Sequence, residues 1–200
     1  MADPHIRPCA PTDLDALYEI CLRTGDAGDD ATGLVQDGRL HGELWAAPYA
    51  VLEPEHAFVV DGGTGAAIGY VLGALDTRAF EARCEVEWWP PLRARHPERP
   101  GGDTLDDLLV AMLHHHPHPP DELLDRYPSH LHIDLLPEAQ GHGCGRRLLA
   151  TFFEALRADG SPGVHWGVSA RNHRALGFYR HLGFEELAAD GLTYTFATVL

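Results

Sequence analysis

The sequence predicts a single α/β (α+β) domain built on a mixed, twisted sheet of about six to seven strands flanked by helices. The chain has 200 residues, the size of one domain, and 44% of them are apolar, enough to form a core. Short apolar runs typical of strands alternate with segments of helical periodicity. Part of the excess of glycine and proline falls between Trp88 and Pro128, which indicates an insertion, at about residues 76–128, between the third and fourth strands.

The first elements are a strand over residues 5–9 and an amphipathic helix. Thr12 is a suitable cap for this helix, and Gly25 a suitable end. Between them, apolar residues recur at helical spacing at Leu14, Leu17, Tyr18, Cys21 and Leu22. Residues 26–48 are rich in Asp and Gly, which indicates a loop with short helical pieces.

An antiparallel hairpin follows. The apolar runs 57–60 and 67–73 are separated by Asp, Gly and Thr residues, a composition typical of a turn. Residues 131–136 form a further apolar run that ends at Pro137, and this predicts a buried strand.

The insertion contains two helix candidates. Residues 78–89 favour a helix that Pro90 and Pro91 must interrupt. Residues 103–114 favour a second helix, whose apolar stripe is typical of core packing. After the fourth strand, the patterns predict a helix ending near Gly160, a strand, another helix and one or two closing strands; these later elements cover residues 148–156, 164–168, 172–182 and those from Phe184 onward.

Charge and composition exclude several classes of function. The chain has 15 Lys+Arg and 30 Asp+Glu, a formal charge of −15, whereas a nucleic-acid-binding protein normally has a basic field. It has no apolar stretch of the roughly 18 residues that cross a membrane, and residues 1–5 do not resemble a signal peptide. We therefore expect a cytoplasmic protein without nucleic-acid or membrane partners. The oligomeric state is left open, a homodimer included.

The cysteines do not indicate a metal site. Cys9, Cys21, Cys84 and Cys144 are scattered, without the paired C-x-x-C spacing of zinc or redox sites. The histidines at 114–116 and 118 precede prolines, which is more typical of a solvated loop than of a metal site. We expect reduced thiols and no metal.

A glycine-rich segment, residues 140–147, lies between a predicted strand and a predicted helix. Alternate glycines let successive backbone N–H groups curl around an anion, and the N-terminus of the helix favours negative charge. Arg146 and Arg147 would oppose the helix dipole unless an anion lies beside them. The spacing fits neither a P-loop nor a dinucleotide fingerprint. A turn that merely joins strand to helix is the alternative.

This segment and a later one together resemble the GCN5-related N-acetyltransferase (GNAT) superfamily. The acetyl-coenzyme A loop of that superfamily, Gln/Arg-x-x-Gly-x-Gly/Ala, is matched by Gln140, Gly143 and Gly145. Its Asn...Ala-x-x-x-Tyr-x-x-x-Gly-Phe pattern is matched at Asn172, Ala175, Tyr179, Gly183 and Phe184. The opening Ile6-Arg7-Pro8 and the order of elements also agree, so the resemblance covers most of the chain.

The middle of the chain has a narrower resemblance, to the acetyltransferase-like C-terminal domain of O-GlcNAcase. It rests on residues 70–80, the Trp88-Trp89-Pro90 break and Tyr127-Pro128-Ser129, and it includes the insertion. The eukaryotic domain lacks a good Gln-x-x-Gly-x-Gly loop, whereas this sequence has one, and the departure favours coenzyme binding here.

The GNAT resemblance implies transfer of an acetyl group from acetyl-coenzyme A, as co-substrate, to a small-molecule or peptide amine by direct attack. It places the acyl and pantetheine groups against the strand backbone and the pyrophosphate against the loop. The residues implied in coenzyme binding are Leu135, Leu136, Gln140, Gly141, His142, Gly143, Cys144, Gly145, Arg146, Asn172 and Tyr179.

The same resemblance places Tyr179 at the position of the general acid that protonates the coenzyme A thiolate. A tyrosine packed in the core is the alternative interpretation. Asn172 is expected either to contact the coenzyme or to cap its helix.

The predicted strand also supplies candidates for the base. A period of two places His130, His132 and Asp134 on one face, which suggests that this face borders a cleft. Asp134, the nearest to the loop, is the first candidate for deprotonating the amine, and His132 is the alternate or a substrate-binding group. Asp76, at the end of another strand, is a candidate for binding a cationic substrate.

Two other functions stay open at this point. The domain could bind acyl-coenzyme A or a protein without catalysis, as the O-GlcNAcase resemblance suggests. Cys144, near a helix N-terminus, could act as a nucleophile. The acceptor is not revealed by the sequence, and we expect its specificity to depend on the insertion.

Overall fold

The computed structural model describes residues 3–98 and 101–200. Residues 1 and 2, and residues 99 and 100 of the insertion, lie outside the described part of the chain. Within that part of the chain, one seven-stranded sheet has the order β1-β2-β3-β4-β5-β7-β6. The strands are His5–Pro8 (β1), Ala57–Asp61 (β2), Ala67–Ala74 (β3), Ser129–Leu135 (β4), Gly163–Ser169 (β5), Glu185–Ala189 (β6) and Thr193–Val199 (β7). The predicted mixed sheet is confirmed.

The central strands β4 and β5 diverge. Every other neighbouring pair is antiparallel, but β4 and β5 run parallel and pair only at Ser129 with Val164 and at His130 with His165. Beyond His130, β4 continues to pair with β3 as far as Leu135 and has no strand on its other side. A wedge therefore opens between β4 and β5.

Helices cover both faces of the sheet. They are Leu14–Arg23 (α1), Leu40–Trp45 (α2), Ala47–Leu52 (α3), Thr77–Arg83 (α4), Trp89–Arg95 (α5), Leu105–His114 (α6), Asp121–Arg126 (α7), Cys144–Ala158 (α8) and His173–His181 (α9). Alternate β3 residues divide between two apolar cores: Tyr70 and Leu72 pack with α1 to α6, and Val71 packs with α8 and α9.

The insertion between β3 and β4 is helical, as predicted, but its prolines act differently. A π-helical turn, Cys84–Trp88, separates α4 from α5, and Pro90 and Pro91 occupy the first turn of α5. Because the first N–H groups of a helix have no partner within the helix, prolines there begin a helix rather than break one. The short helix α7 was not predicted.

The start of α1 also differs from the prediction. Thr12 does not cap it, because Pro11–Asp13 forms a 3₁₀ turn. The Asp13 carboxylate instead accepts hydrogen bonds from the Ala10 N–H and from both terminal nitrogens of Arg7. The segment 26–48 contains α2 and the start of α3. No helix of the described chain has the length and apolar character needed to cross a bilayer.

Candidate active site

A cavity of about 640 Å³ lies where β4 and β5 diverge. Its walls come from four places in the chain: Thr24 and Gly28 after α1, residues 133–135 of β4, the loop that leads into α8, and α9. Apart from His142, which is exposed, the residues predicted for the glycine-rich site from 140 to 146 all line it.

The glycine-rich loop supplies free hydrogen-bond donors. Gly141 and Gly143 have φ angles of 77° and 71°, a left-handed conformation that glycine adopts without strain. The first residue after the loop whose backbone N–H is bonded is Arg147, which donates to the Gly143 carbonyl at 3.1 Å. Across the described chain, nothing accepts a hydrogen bond from the N–H groups of residues 141–146. Together with the N-terminus of α8, these donors suit an anion.

Gln140 braces the loop against the strand. Its Nε2 donates to the Leu135 carbonyl at 2.8 Å, and its Oε1 accepts from Arg174 Nη1 at 2.6 Å. Arg174 also donates to the Gly28 carbonyl at 3.2 Å, so it joins α9 to the segment after α1 across the cavity mouth. Arg174 was not predicted as a site residue, although it lies inside the Asn172–Tyr179 pattern.

The residues whose backbone groups form the unpaired edge of β4 differ in part from those predicted. Leu136 donates its N–H to the Ile68 carbonyl at 3.0 Å, so its amide is already used in the pairing with β3. Because backbone groups alternate in direction along a strand, Ile133 and Leu135 face the opening between β4 and β5. The backbone groups of Leu135, which was predicted, and of Ile133, which was not, thus face the opening, whereas those of Leu136 do not.

Asp134 reaches the cavity with one firm partner. It lies opposite Tyr70 in the β3–β4 register, and Tyr70 Oη donates to Asp134 Oδ2 at 2.7 Å. Burial raises the pKa of Asp134, which the hydrogen bond from Tyr70 partly opposes. A carboxylate of raised pKa is a stronger base than an ordinary one.

Tyr179 lines the same cavity from α9. It is only 5% exposed, and among residues 3–98 and 101–200 its hydroxyl makes no hydrogen bond. Burial, and secondarily the charge of Asp134, raise its pKa, so the phenol keeps its proton at neutral pH. The structure thus brings together the two residues predicted as catalytic.

The remaining polar residues of the strand do not border the cavity. His130 and His132 share a face with Asp134, as predicted, but Tyr49 of α3 covers them and its hydroxyl lies 2.9 and 3.1 Å from their Nε2 atoms. Burial lowers the pKa of His132 to about 4. The predicted cleft on this face is therefore limited to the end of the strand, at Asp134.

Asp76 lies away from the cavity. It follows β3 at the end where Ala74 pairs with His130, and its carboxylate caps α4 by accepting from the Ala79 N–H at 2.9 Å. In the structure Asp76 therefore serves as a helix cap and does not line the cavity. Asn172 caps α9 through the Ala175 N–H and also lines the cavity, so both expected contacts remain available to it.

A thiol nucleophile and a metal site are the other chemistries considered from the sequence. Cys144, the first residue of α8, lines the cavity, but it is only 1% exposed and packs in the apolar core. Within the described residues, no cluster of His, Cys, Asp and Glu has the arrangement of a metal site. The histidines after α6 contact carboxylates instead: His115 lies 2.8 Å from Glu98, and His118 lies 2.7 Å from Glu81.

Comparisons with known proteins agree with this architecture. A crystal structure of SsHAT is 41% identical and superposes with a TM-score of 0.90, over 99% of this chain and 98% of that one. Protein O-GlcNAcase of Rattus norvegicus is 28% identical over 188 residues, which are 92% of this chain but only 20% of the rat protein. The chain thus spans about a fifth of that relative.

A more distant structure shows the fold alone. The PaiA N-acetyltransferase from Thermoplasma acidophilum, in complex with coenzyme A, is 13% identical with a TM-score of 0.60, and the match covers 100% of both chains. The model of the family described as "Acetyltransferase (GNAT) family" matches residues 29–184. This protein therefore belongs to the GNAT family of acetyltransferases.

Proposed function

We propose that this protein transfers an acetyl group from acetyl-coenzyme A to an amine by direct attack in a ternary complex. One observation carries the proposal: a single cavity joins the free amides of the glycine-rich loop, the unpaired edge of β4, and the side chains of Asp134 and Tyr179. These are the groups needed to hold an anionic thioester and to move two protons beside it.

The positions of the glycine-rich loop and of β4 would set the direction in which the coenzyme lies in the cavity. Its pyrophosphate would lie on the amides of residues 141–146, where the N-terminus of α8 and the exposed Arg146 offset the negative charge. Its pantetheine amides would pair with the free backbone groups of Ile133 and with the free N–H of Leu135, as an added strand does. The coenzyme A complex of the distant PaiA relative, which shares the fold, supports this choice of ligand.

The reaction balances with the groups present. The amine nitrogen forms a bond to the thioester carbon and loses a proton to Asp134, while the carbon–sulfur bond breaks and the thiolate takes a proton from Tyr179. Backbone N–H groups of β4 that face the opening would stabilise the negative charge that develops on the carbonyl oxygen. Asp134 then returns its proton through solvent to restore the phenol. The products are an N-acetylated amine and coenzyme A.

The replacement Tyr179→Phe tests this proposal. We expect acetyl-coenzyme A to bind with nearly unchanged affinity in calorimetry, while release of free thiol slows by about 10²-fold to 10⁴-fold, the usual contribution of a positioned general acid. The acceptors to screen are a polyamine, an aminosugar and a lysine peptide. An unchanged rate would remove Tyr179 from the mechanism.

A second outcome would distinguish the main alternative, a domain without catalysis, from an acetyltransferase. If the wild-type protein binds acetyl-coenzyme A but none of these amines releases thiol, the domain is better described as a coenzyme-binding or interaction module. The similarity to O-GlcNAcase is the reason for considering this non-catalytic alternative.

A further inference from the structure

The carboxylate of Asp134 is held by a tyrosine of the neighbouring strand. Tyr70 of β3 lies directly opposite Asp134 in the antiparallel register, and its hydroxyl donates to Asp134 Oδ2 at 2.7 Å. The Tyr70 side chain is fully buried, whereas Asp134 is half-buried and lines the cavity. A buried partner therefore takes one carboxylate oxygen, while the exposed part of Asp134 faces the cavity.

The Tyr70 hydroxyl has one proton, and among the described residues Asp134 is its only strong acceptor. A second neighbour of this hydroxyl is the thiol of Cys21 in α1, whose pKa burial raises far above its ordinary value. A protonated thiol accepts only weakly, whereas a carboxylate accepts strong hydrogen bonds. The phenol also keeps its proton, because burial and the charge of Asp134 raise its pKa. The hydrogen bond therefore runs from Tyr70 to Asp134.

The other carboxylate oxygen, Asp134 Oδ1, keeps its lone pairs. Thr24, at the end of α1, brings a second hydroxyl to this carboxylate and also lines the cavity. Its Oγ1 donates to the Ile20 carbonyl at 2.8 Å, so its single proton is already used within α1. In the part of the chain that the structure describes, no donor is bonded to Oδ1. Oδ1 is therefore the oxygen that can take a proton from a molecule in the cavity.

Several elements bring other ionisable groups towards Asp134. Cys21 of α1 and Tyr179 of α9 keep their protons at neutral pH, because burial raises their pKa values. On β4 itself His132 is neutral, because burial lowers its pKa to about 4. The charged or titratable side chains that α8 and α9 add to the cavity lining are Arg146, Arg174 and His181. Of all these described groups, none donates a hydrogen bond to Asp134, so the bond from Tyr70 is the contact that orients its carboxylate.

We infer that Tyr70 is a positioning residue, which holds the Asp134 carboxylate through Oδ2 and so makes Oδ1 the atom that receives the proton of the attacking amine. This inference rests on the proposed acetyl transfer. In that step an N–H bond of the amine breaks, its electron pair stays on nitrogen, and the proton bonds to Oδ1. The hydrogen bond from Tyr70 to Oδ2 persists, because the carbonyl oxygen of a carboxylic acid still accepts. Before the step, the same bond favours the ionised carboxylate that the reaction needs.

The replacement Tyr70→Phe removes this hydrogen bond and keeps the ring. With an amine that the protein acetylates, we expect the acid limb of kcat/KM to move to higher pH by about one to two units, the effect of losing a hydrogen bond to a charged group. Above that limb, kcat should fall about tenfold with little change in the acceptor KM, because the carboxylate is no longer held. Tyr127→Phe is the matched control and should change neither, since the Tyr127 hydroxyl is buried and makes no hydrogen bond in the described chain.

A stronger donor at the same position tests the sign of the effect. 3-Fluorotyrosine in place of Tyr70 has nearly the shape of tyrosine and a more acidic phenol, so it should move the acid limb to lower pH, opposite to Tyr70→Phe. It also keeps the test available if the phenylalanine variant does not fold. An acid limb that stays at the wild-type pH with 3-fluorotyrosine would overturn the inference. A shift in Tyr127→Phe as large as that in Tyr70→Phe would overturn it too.

Carbon-13 NMR of the Asp134 carboxyl, assigned by its loss in Asp134→Asn, follows the same proton without an acceptor. We expect its titration midpoint to rise in Tyr70→Phe and to fall with 3-fluorotyrosine. If an amine is acetylated but neither the midpoint nor the acid limb moves, the role of Tyr70 is rejected and acetyl transfer stands. If the polyamine, the aminosugar and the lysine peptide are all inert while the midpoint moves as expected, acetyl transfer fails and the role of Oδ1 in it fails too.

Discussion

Asp134 shows how a strand register determines the chemistry of a residue. The β3–β4 pairing sets it opposite Tyr70, whose hydroxyl satisfies one carboxylate oxygen and leaves the carboxylate at the cavity wall. A different register would place an apolar side chain there, because a shift of one residue exchanges the two faces of a strand. Its pKa is raised by burial rather than by a neighbouring anion.

This raised pKa predicts the pH dependence of turnover. Asp134 accepts a proton only when it is ionised, so kcat/KM should fall as the pH drops through its pKa, which lies above the ordinary value of 3.8. Asp134→Asn should remove this dependence and slow turnover by about 10²-fold or more. An asparagine variant with wild-type rates across the pH range would show that another group is the base.

Arg174 illustrates the limit of pattern matching at single residues. Its hydrogen bonds to Gln140 and to the Gly28 carbonyl connect segments more than a hundred residues apart in the chain. No local periodicity predicts such a bridge. The pattern around Asn172 indicated a functional helix, but only the folded chain shows which of its arginines reaches the cavity.

At the scale of elements, the divergence of β4 and β5 creates the site. Two residue pairs hold the strands together, and beyond them the loop before α8 and the helix α9 form the walls. The backbone of β4 stays free there, because no neighbouring strand pairs with it. A continuous parallel ladder would use the same N–H and C=O groups and leave no room for a pantetheine chain.

The glycine-rich loop can be tested with a matched pair of variants. In Gly143→Ala the new methyl group would lie in the cavity on a left-handed residue, so we expect a stability loss of about 1 kcal/mol and at least a tenfold weaker affinity for coenzyme A in calorimetry. Gly160→Ala, with φ 81° and open space at the other end of α8, should lose similar stability.

The control separates strain from binding. If Gly160→Ala weakened coenzyme binding as much as Gly143→Ala, the effect would reflect general destabilisation, and the loop would lose its assigned role. Equal coenzyme affinity in Gly143→Ala and the wild-type protein would lead to the same conclusion.

At the scale of the molecule, the charge of −15 bears on the choice of acceptor. A negative surface attracts cationic amines over a distance of about 10 Å at moderate salt. We predict that the KM of a cationic acceptor rises about threefold or more when ionic strength increases from roughly 0.05 M to 0.5 M. The same titration with acetyl-coenzyme A, an anion, is the control, and a salt-independent acceptor KM would exclude steering.

Buried histidines predict how stability depends on pH. Burial is the main cause that lowers the pKa of five of them, which are His41, His116, His130, His132 and His165. His56 is opposite: burial acts to lower its pKa, but Glu53 and Asp159 together raise it. A histidine with a lowered pKa takes up a proton in the unfolded chain first, so stability falls as the pH drops below about 6.5.

We therefore expect the free energy of unfolding to decrease as the pH drops from about 6.5 towards 4, by at most on the order of 1 kcal/mol per pH unit for each such group, until the pH reaches the folded-state pKa of that group. His56 contributes the opposite sign over its own range. Denaturant titrations of His116→Asn should show a weaker dependence than those of His115→Asn, the exposed neighbour. Stability that is flat over this range would contradict the prediction.

Much of the fold and part of the site could be predicted from the sequence. Strand and helix order follows from local periodicity, and the glycine-rich loop from its composition, because both reflect the backbone preferences of neighbouring residues. Tyr179 was predicted through the resemblance to a family, and Asp134 through the two-residue period of its strand; the structure brings both into one cavity.

Only the tertiary structure decided what covers each face. The sequence alone determined that His130, His132 and Asp134 share a face of one strand, since that needs only a period of two. Whether a histidine borders a cleft or meets Tyr49, and whether Asp76 binds a substrate or caps a helix, depends on packing between distant segments. Such contacts form between side chains that are far apart in the chain, so no local sequence pattern predicts them.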